Sequence, residues 1–469
     1  MKYRIFTYAG ESLPIAQKLQ QEGCEVVVGM VQDKQTIHSP ATGEFRLEDL
    51  ETRRRRLALF DGMLNKKAAE ELIEEMLTCK HPEEYFVLFD WNCFFRYSAQ
   101  IAHMPFHGIF PTEHDYLLEH DREHGKKFVQ EHYPALNVAA VHTFDDVGAA
   151  AKFLDRPESL WVLKGQDNRT KTFVPDVDDP QLAAEQIIEA LKADRELYDE
   201  SGFILEQLIA DPIEITPEKI FYDGVPLATV LDFENKPFGS GNISIQTGCA
   251  QDLVFPIGMT DEINSIAFPP IVDELARQHK GLFYWDASLL IQRQTGKIYF
   301  GEFCANRPGY NSLFSELSQC SSIDEYFSSC VAKQSPFKLG SVSTSVLLAN
   351  PETDEETGRV AEGRRIDYKP EVEKHLWLWD ARRERNRLVT VGYDWNLAVI
   401  TGTGDSIDEA VNAMYKSVDG FSFAGAYYRP KSDYLSMDYS TSLLNRVNYG
   451  LGKKLYHLPF DVKVVPIKK

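Results

Sequence analysis

The stretch KIYFGEFCANRPGYNS, Lys297 to Ser312, alternates like a strand and then turns, carrying Glu302, Asn306 and Arg307 into the turn. Strand side chains alternate faces, so Glu302, Cys304 and Asn306 share one face if the strand stays regular. A carboxylate and an amide oxygen on one face suit a hard cation such as Mg2+. A sheet-end salt bridge between Glu302 and Arg307 accounts for the same residues without any chemistry. Upstream, Arg122 and Lys126 lie four apart on one face of a predicted helix. Lys164 ends a predicted strand, and Lys171 follows in the polar loop GQDNRTKTF. Glu206 sits inside FILEQLI, and Glu214 lies just beyond it. Cations that converge on phosphates, an acidic hinge for adenine and ribose, and a strand of metal ligands together make a nucleoside-triphosphate site. Singly, each has a plainer reading. A helical Arg/Lys pair is commonly a solvated face with partners such as Glu123, and a strand-end lysine is commonly a polar rim.

The elements that must position these residues follow from the pattern of the chain. Its 469 residues exceed one ordinary core, so two to four domains are expected. Hydrophobic residues make up 43% and charged residues 26%, the balance of a folded globular protein. A net charge of −21 argues against general binding to nucleic acid or anionic membranes. No apolar run of about 18 residues occurs, and MKYRIFTYAG lacks signal-peptide organisation. The seven cysteines are scattered without a CxxC pair, which fits a reducing compartment, and the cytoplasm is the expected setting.

The opening reads strand, turn, helix, strand through YRIFTY, AGES, LPIAQKLQQEG and CEVVVGM, and EYFVLFD supplies a further strand. Strands alternating with helices predict a doubly wound parallel sheet over residues 1–112. Its first strand tip, YAGES, is where such a domain presents a ligand, although it is no GxGxxG fingerprint. Residues 113–335 read as an α+β block. It begins with one charged helix, EHDYLLEHDREHGKKFVQEHY, and holds strands LWVLKG, FILEQLI, ATVLDF and ASLLIQRQ with the polar loop ENKPFGSGNISIQTG. Residues 336–430 read as a small α+β domain, and 431–469 as a tail that is either a dimer arm or a lid.

The order of these pieces resembles an ATP-grasp ligase of the glycinamide ribonucleotide synthetase (phosphoribosylamine–glycine ligase) family, from residue 1 to about 430. LEHDREHGKKF resembles the family's helix that contacts ATP phosphates and carries Arg122 and Lys126. WVLKGQDNRTKTF resembles its phosphate-binding strand, with Lys164 and Lys171. FILEQLIADPIE resembles its adenine-binding strand. This implies Glu206 for the adenine amino group, backbone groups of Gln207 and Leu208 at the ring edge, and Glu214 near the ribose. ISIQTGCAQ is similar to the loop ending NTGG, and Asp232 and Lys236 match its upstream Asp and Lys. GDSIDEAVNAMYKSVDGFSFAGAYYRP is similar to the family's C-terminal ending.

The resemblance implies an ATP-grasp fold, ATP and Mg2+ as cofactors, and amide formation through an acyl phosphate. Arg122, Lys164 and Arg307 are then the expected catalytic cations, and Lys236 a nucleotide contact. The family's metal strand carries Glu-x-Asn, whereas here Cys304 intervenes and Asn306 follows Glu302 by four, about 6.5 to 7 Å along an ideal strand. Reaching one cation then takes a bend or bulge, with Asp286 of YWDASLL as a further ligand. The loops carrying Lys171 and GSGN are expected to close over the site, because an acyl phosphate hydrolyses readily. YAGESLPIA and LFDWNCFF replace the family's phosphoribosylamine motifs, so the acceptor pocket is expected to differ, with glycine the default carboxylate and the amine unidentified.

Other readings stay open. A non-catalytic ATP-grasp scaffold and a phosphotransferase on the same fold both fit the retained residues. HDREH, His120 to His124, has the spacing of a metalloprotease helix with Asp121 in place of Glu. Arg53 to Arg56 reads as either a solvated helix face or a contact for a nucleotide or nucleic-acid acceptor.

Overall fold

A computed structural model describes the chain apart from residues 39–44, 166–172, 176, 178, 243–245, 307–309, 351–352, 354–357, 436–441, 461 and 463–469. Lys171 and Arg307 therefore lie outside the described residues. The three sequence blocks share one 13-stranded sheet. Its parallel end runs Lys66–Ala68, Glu25–Met30, Lys2–Thr7, Tyr85–Phe89, His107–Ile109. The antiparallel strands Leu282–Gln292, Pro212–Tyr222, Val225–Pro237 and Gln246–Ile257 follow. The sheet then continues into Val342–Ala349, Asn396–Gly404 and Leu376–Leu378 of the third block. Parallel and antiparallel parts meet where Leu282 pairs with Ile109. The seam is tight: a Cβ on Gly281 would stand 2.2 Å from the Gly108 carbonyl oxygen, and one on Gly108 would stand 2.0 Å from that of Val87. Only glycine fits there.

A separate three-stranded sheet, Val141–Phe144, Phe203–Gln207 and Trp161–Gly165, forms a small lobe. Helix Pro180–Ala193 covers it and buries Ile187 and Leu191 against Leu163 and Leu205.

The charged helix expected over 113–133 is two helices, Glu113–His120 and Arg122–His132. Asp121 leaves helical geometry and accepts a hydrogen bond from the His124 amide, ending one helix while capping the next. Gly125 lets the second helix approach the first, since a Cβ there would stand 2.6 Å from the Leu118 carbonyl oxygen. The break separates the HDREH histidines. His120 Nε2 lies 3.2 Å from Asn92 Oδ1, while His124 packs on His114. Among the described residues, no three His, Cys, Asp or Glu groups are placed to share one metal ion.

The described part of the tail folds back onto its own chain. Helix Leu443–Gly452 buries Leu443, Leu444 and Val447, and Tyr456 packs on Phe233 and Phe255. Alternation puts Phe233 on the sheet face opposite Asp232 and Glu234. The tail thus covers the apolar face and leaves the acidic one to the cleft. The arginine run is spent inside the molecule as well. Arg54 and Arg55 pair with Glu51 and Glu362, and Arg55 also donates to the Val360 and Gly392 carbonyls. Arg56 and Glu48, both fully buried, pair at 2.8 Å. Among the described residues, no helix is long and apolar enough to cross a membrane.

Candidate active site

Two charge clusters face each other across the cleft between the small lobe and the large sheet. In the lobe, the Glu206 carboxylate takes the ammonium groups of Lys126 and, at 2.8 Å, Lys164. Burial would raise Glu206, but the two lysines outweigh it and hold the acid below its usual range. Burial pulls Lys126 down, with Lys164 and Arg122 adding repulsion. Two ammonium groups thus share one carboxylate, and the exposed Arg122, which starts the helix that carries Lys126, adds a positive charge felt by Lys126 and Glu302. Gln207 and Leu208 donate their backbone N–H groups to the carbonyls of Ala140 and Leu160, so neither amide is free to serve a base edge.

On the sheet, Lys236 lies 3.0 Å from Glu214 and 3.3 Å from Glu302. Ser288 Oγ also donates to Glu214, at 2.9 Å. Attraction to Lys236 is the main force that pulls Glu302 down to about 2, with Arg122 and Lys164 adding to it against burial. Those two cations belong to the helix and small lobe, which places both clusters on one cleft. The Glu302 side chain keeps 57% of its surface open while being hemmed in from both sides, as at a cleft floor.

A β-bulge aims Glu302. Phe303 pairs with Ala287 and Phe300 with Leu289, so Gly301 and Glu302 together oppose Ser288. Both phenylalanines are buried although three residues apart. A Cβ on Gly301 would stand 2.9 Å from Ser288 Oγ, so glycine is what allows the bulge to close. Beyond the bulge, Cys304 pairs with Asp286, which puts Asp286 on the same face as Glu302. Strand alternation stops at Ala305. Asn306 turns into the left-handed region at φ 50° and is fully buried. Its Nδ2 donates to Asp115 at 3.4 Å, leaving Oδ1 without a partner among the described residues.

An ionised, open Glu302 with Asp286 on the same face fits a magnesium ion, which commonly takes one or two carboxylates and completes its shell with phosphate oxygens and water. Asn306, expected as a further ligand, is instead drawn off the strand onto the buried Asp115–His279 pair, and His279 stacks on Phe283 of the opposite face, so Asn306 does not stand with Glu302 and Asp286. The polar loop beside the cleft is anchored by Arg429, fully buried, which donates to the Gly239 carbonyl at 3.0 Å and pairs with Asp433 at 2.8 Å. Arg429 lies in the GAYYRP segment, which resembles the family's ending, and the sequence alone gave the arginine no role at the site.

No protein-family model matches the chain, and no curated protein matches it in sequence. Solved structures do. Phosphoribosylamine–glycine ligase from Thermotoga maritima is 14% identical and superposes with a TM-score of 0.61, over 92% of this chain and 99% of that one. The biotin carboxylase domain of 2-oxoglutarate carboxylase from Hydrogenobacter thermophilus, a complex with MgADP and bicarbonate, is 11% identical with a TM-score of 0.56, over 97% and 95%. The fold is the ATP-grasp fold. L-amino acid ligase from Bacillus licheniformis shares this ATP-grasp architecture at 14% identity and a TM-score of 0.51, over 92% and 99%. In ATP-grasp terms, the cluster around Glu206 belongs to the small lobe and Glu302 to the large sheet, with the cleft between them.

Proposed function

We propose that this protein is an ATP-dependent carboxylate–amine ligase. The observation that carries the reading is the pairing of a cation-rich cradle, Lys126 and Lys164 on Glu206 with Arg122 near by, with an ionised and open Glu302 across the same cleft. ATP is the substrate whose phosphates such a cradle suits. The γ-phosphoryl group passes to a substrate carboxylate and ADP leaves. An amine nitrogen then attacks the acyl carbon, phosphate departs, and the amine loses a proton. Lys164 and Arg122 offset charge on the transferring group, a role of fixed electrostatics rather than covalent chemistry. Glu302 and Asp286 are the residues that would hold magnesium, which would supply further neutralisation of the phosphates. Lys236 keeps Glu302 and Glu214 ionised. Arg429 holds the neighbouring loop and so helps keep water out.

The acceptor side supports an amine other than phosphoribosylamine. At the tip of the first strand, Tyr8 and Trp91 stack at 5.6 Å, and Asp90 accepts from the Tyr8 amide and from Ser12. Arg56, the guanidinium that reaches the Tyr8 carbonyl, is taken up by Glu48 and by the Val31 and Asp33 carbonyls. Aromatic faces and a carboxylate make a poor phosphate cradle.

The test is product analysis after incubation with MgATP, a panel of carboxylates that includes glycine, and a panel of amines. ADP together with an amide is the expected result. ADP with a phosphate ester, or no ADP at all, would overturn the reading in favour of a phosphotransferase or a non-catalytic scaffold.

A further inference from the structure

Below Glu302 the same sheet face continues as a run of carboxylates. Register pairs Thr216 with Asp232, Glu218 with Asp286 and Glu234 with Asp252, so Glu218, Asp232, Glu234, Asp252 and Asp286 all project from one face. Helix Tyr310–Ser318 lies over its far end. There Ser312 donates to Asp232, Ser315 donates to both Asp252 oxygens at 2.9 and 2.8 Å, and Glu316 stands beside Glu218. The face is graded: Glu302 is open, Glu234 and Asp286 are half-buried, and Asp252 is fully buried.

This arrangement is electrostatically incomplete. Lys236, at the mouth, is the cation that acts on Glu234 and Asp286, and it is already paired with Glu214 and Glu302. Shared protons between neighbouring carboxyls relieve part of the repulsion. Burial, reinforced by the neighbouring acids, holds both Asp232 and Glu218 well above the usual carboxylate range. Even so, two oxygens keep no hydrogen-bond partner among the described residues. Asp232 Oδ1 and Glu218 Oε1 are unpartnered on side chains only 6% and 5% exposed, on adjacent strands and facing the same side. A buried acceptor without a donor costs about 1–3 kcal/mol, so a site that keeps two is matched to a donor from outside. The carboxylates are not placed for three of them to share one metal ion. An ammonium group presents several N–H donors, which spread over acceptors on different strands.

We infer that the face bearing Glu218, Asp232 and Glu234 binds the ammonium group of an organic substrate and holds it beside Glu302. The proposal rests on the ligase reading for its purpose, since both candidate sources are substrates of that reaction. One source is the α-ammonium of an amino acid whose carboxylate is activated; the other is a cationic acceptor amine. In either case the substrate's positive end lies on the acids while its reacting end faces the cation-rich cradle.

The test is calorimetric titration of the full chain with three probes, namely 1,4-diaminobutane, glycine and acetate, for wild type, Asp232→Asn and Glu218→Gln. MgADP is titrated into the same samples. At least one ammonium-bearing probe is expected to bind, and both variants to weaken it about tenfold or more, as loss of a charged hydrogen-bond partner implies. MgADP affinity should stay within about twofold, which also reports that the variants are folded. Binding of diaminobutane assigns the site to the acceptor amine. Binding of glycine without diaminobutane assigns it to the amino-acid substrate. If no ammonium probe binds, if both variants bind as wild type does, or if acetate alone binds, the proposal is wrong. Failure of MgADP to bind wild type while diaminobutane still binds would sink the ligase reading and leave this site standing.

Discussion

The two ends of the cleft are built with opposite charge and opposite economy. At the lobe end, Lys126 and Lys164 share Glu206 and Arg122 stands near Lys126, so positive charge is in excess. At the sheet end, carboxyl groups on four adjacent strands crowd around one half-shared Lys236, so acids outnumber cations. Each end is unfavourable alone, and each is what a ligand of opposite charge would complete. The comparison teaches that the cleft is polarised along its length, with phosphates suited to one end and an organic cation to the other. Glu302, at the junction, is aimed by a bulge and kept ionised by Lys236.

The sharpest way to break this comparison is to remove one end's charge. Lys164→Met should lower ADP release by about 10²- to 10³-fold, the range for loss of a preorganised electrostatic contact. A steady-state assay that found less than a tenfold change would break the lobe end of the account. A change outside the cleft gives the contrast. Arg56→Ala leaves Glu48 buried and uncompensated, and should cost about 3–5 kcal/mol in denaturant unfolding. Any ADP release that survives should keep its Michaelis constant for ATP.

Two acids of the sheet, Glu302 at the mouth and Asp252 at the buried end, should also answer pH in opposite senses. Glu302 is depressed from 4.5 to about 2 on folding, so its stabilising share is present above 4.5 and disappears as pH falls toward 2. Asp252 is raised by burial from 3.8 to about 7, so its share is present below 3.8 and is lost as pH rises through 7. Melting curves should therefore show Glu302→Gln flattening the acid limb and Asp252→Asn flattening the limb between pH 4 and 7. Identical pH profiles for wild type and Asp252→Asn would contradict the acidic end as described. The smallest effect belongs to Arg54, half-exposed in its pairs with Glu51 and Glu362. Arg54→Ala should change stability by no more than about 1 kcal/mol and leave ADP release unchanged. A large loss of turnover would revive a nucleotide or nucleic-acid acceptor at that helix.

The parts of this cleft that were legible in sequence are those set by local pattern. Alternating strands and helices announced the parallel end of the sheet, and Lys126, Lys164, Glu206 and Glu302 stood on elements whose period could be counted, whereas Lys236, read in a polar loop, lies on strand Val225–Pro237. What could not be read depended on pairing between distant strands. Glu218, Asp232, Glu234 and Asp252 are spread over 35 residues of chain, and only the sheet register brings them to one face. The bulge at Gly301 and Glu302 arises from pairing with Ser288, so the strict alternation assumed for Asn306 ends where the backbone turns left-handed. The helix break at Asp121 was hidden because the charged run Glu119 to Lys127 carries no apolar residue whose period could shift, while a single aspartate both ends and caps. The tail helix Leu443–Gly452 was legible and missed, since Ser442 caps it and Leu443, Leu444 and Val447 follow helical spacing.

The central claim is that Glu302 and the lysine cradle form one nucleotide site, and calorimetric titration of ATP in the presence of Mg2+ into wild type and Glu302→Ala tests it most directly. The account predicts that wild type binds with a clear metal dependence, and that Glu302→Ala loses either the binding or its dependence on Mg2+. Failure of wild type to bind, or a variant that binds with the same metal dependence, would contradict it.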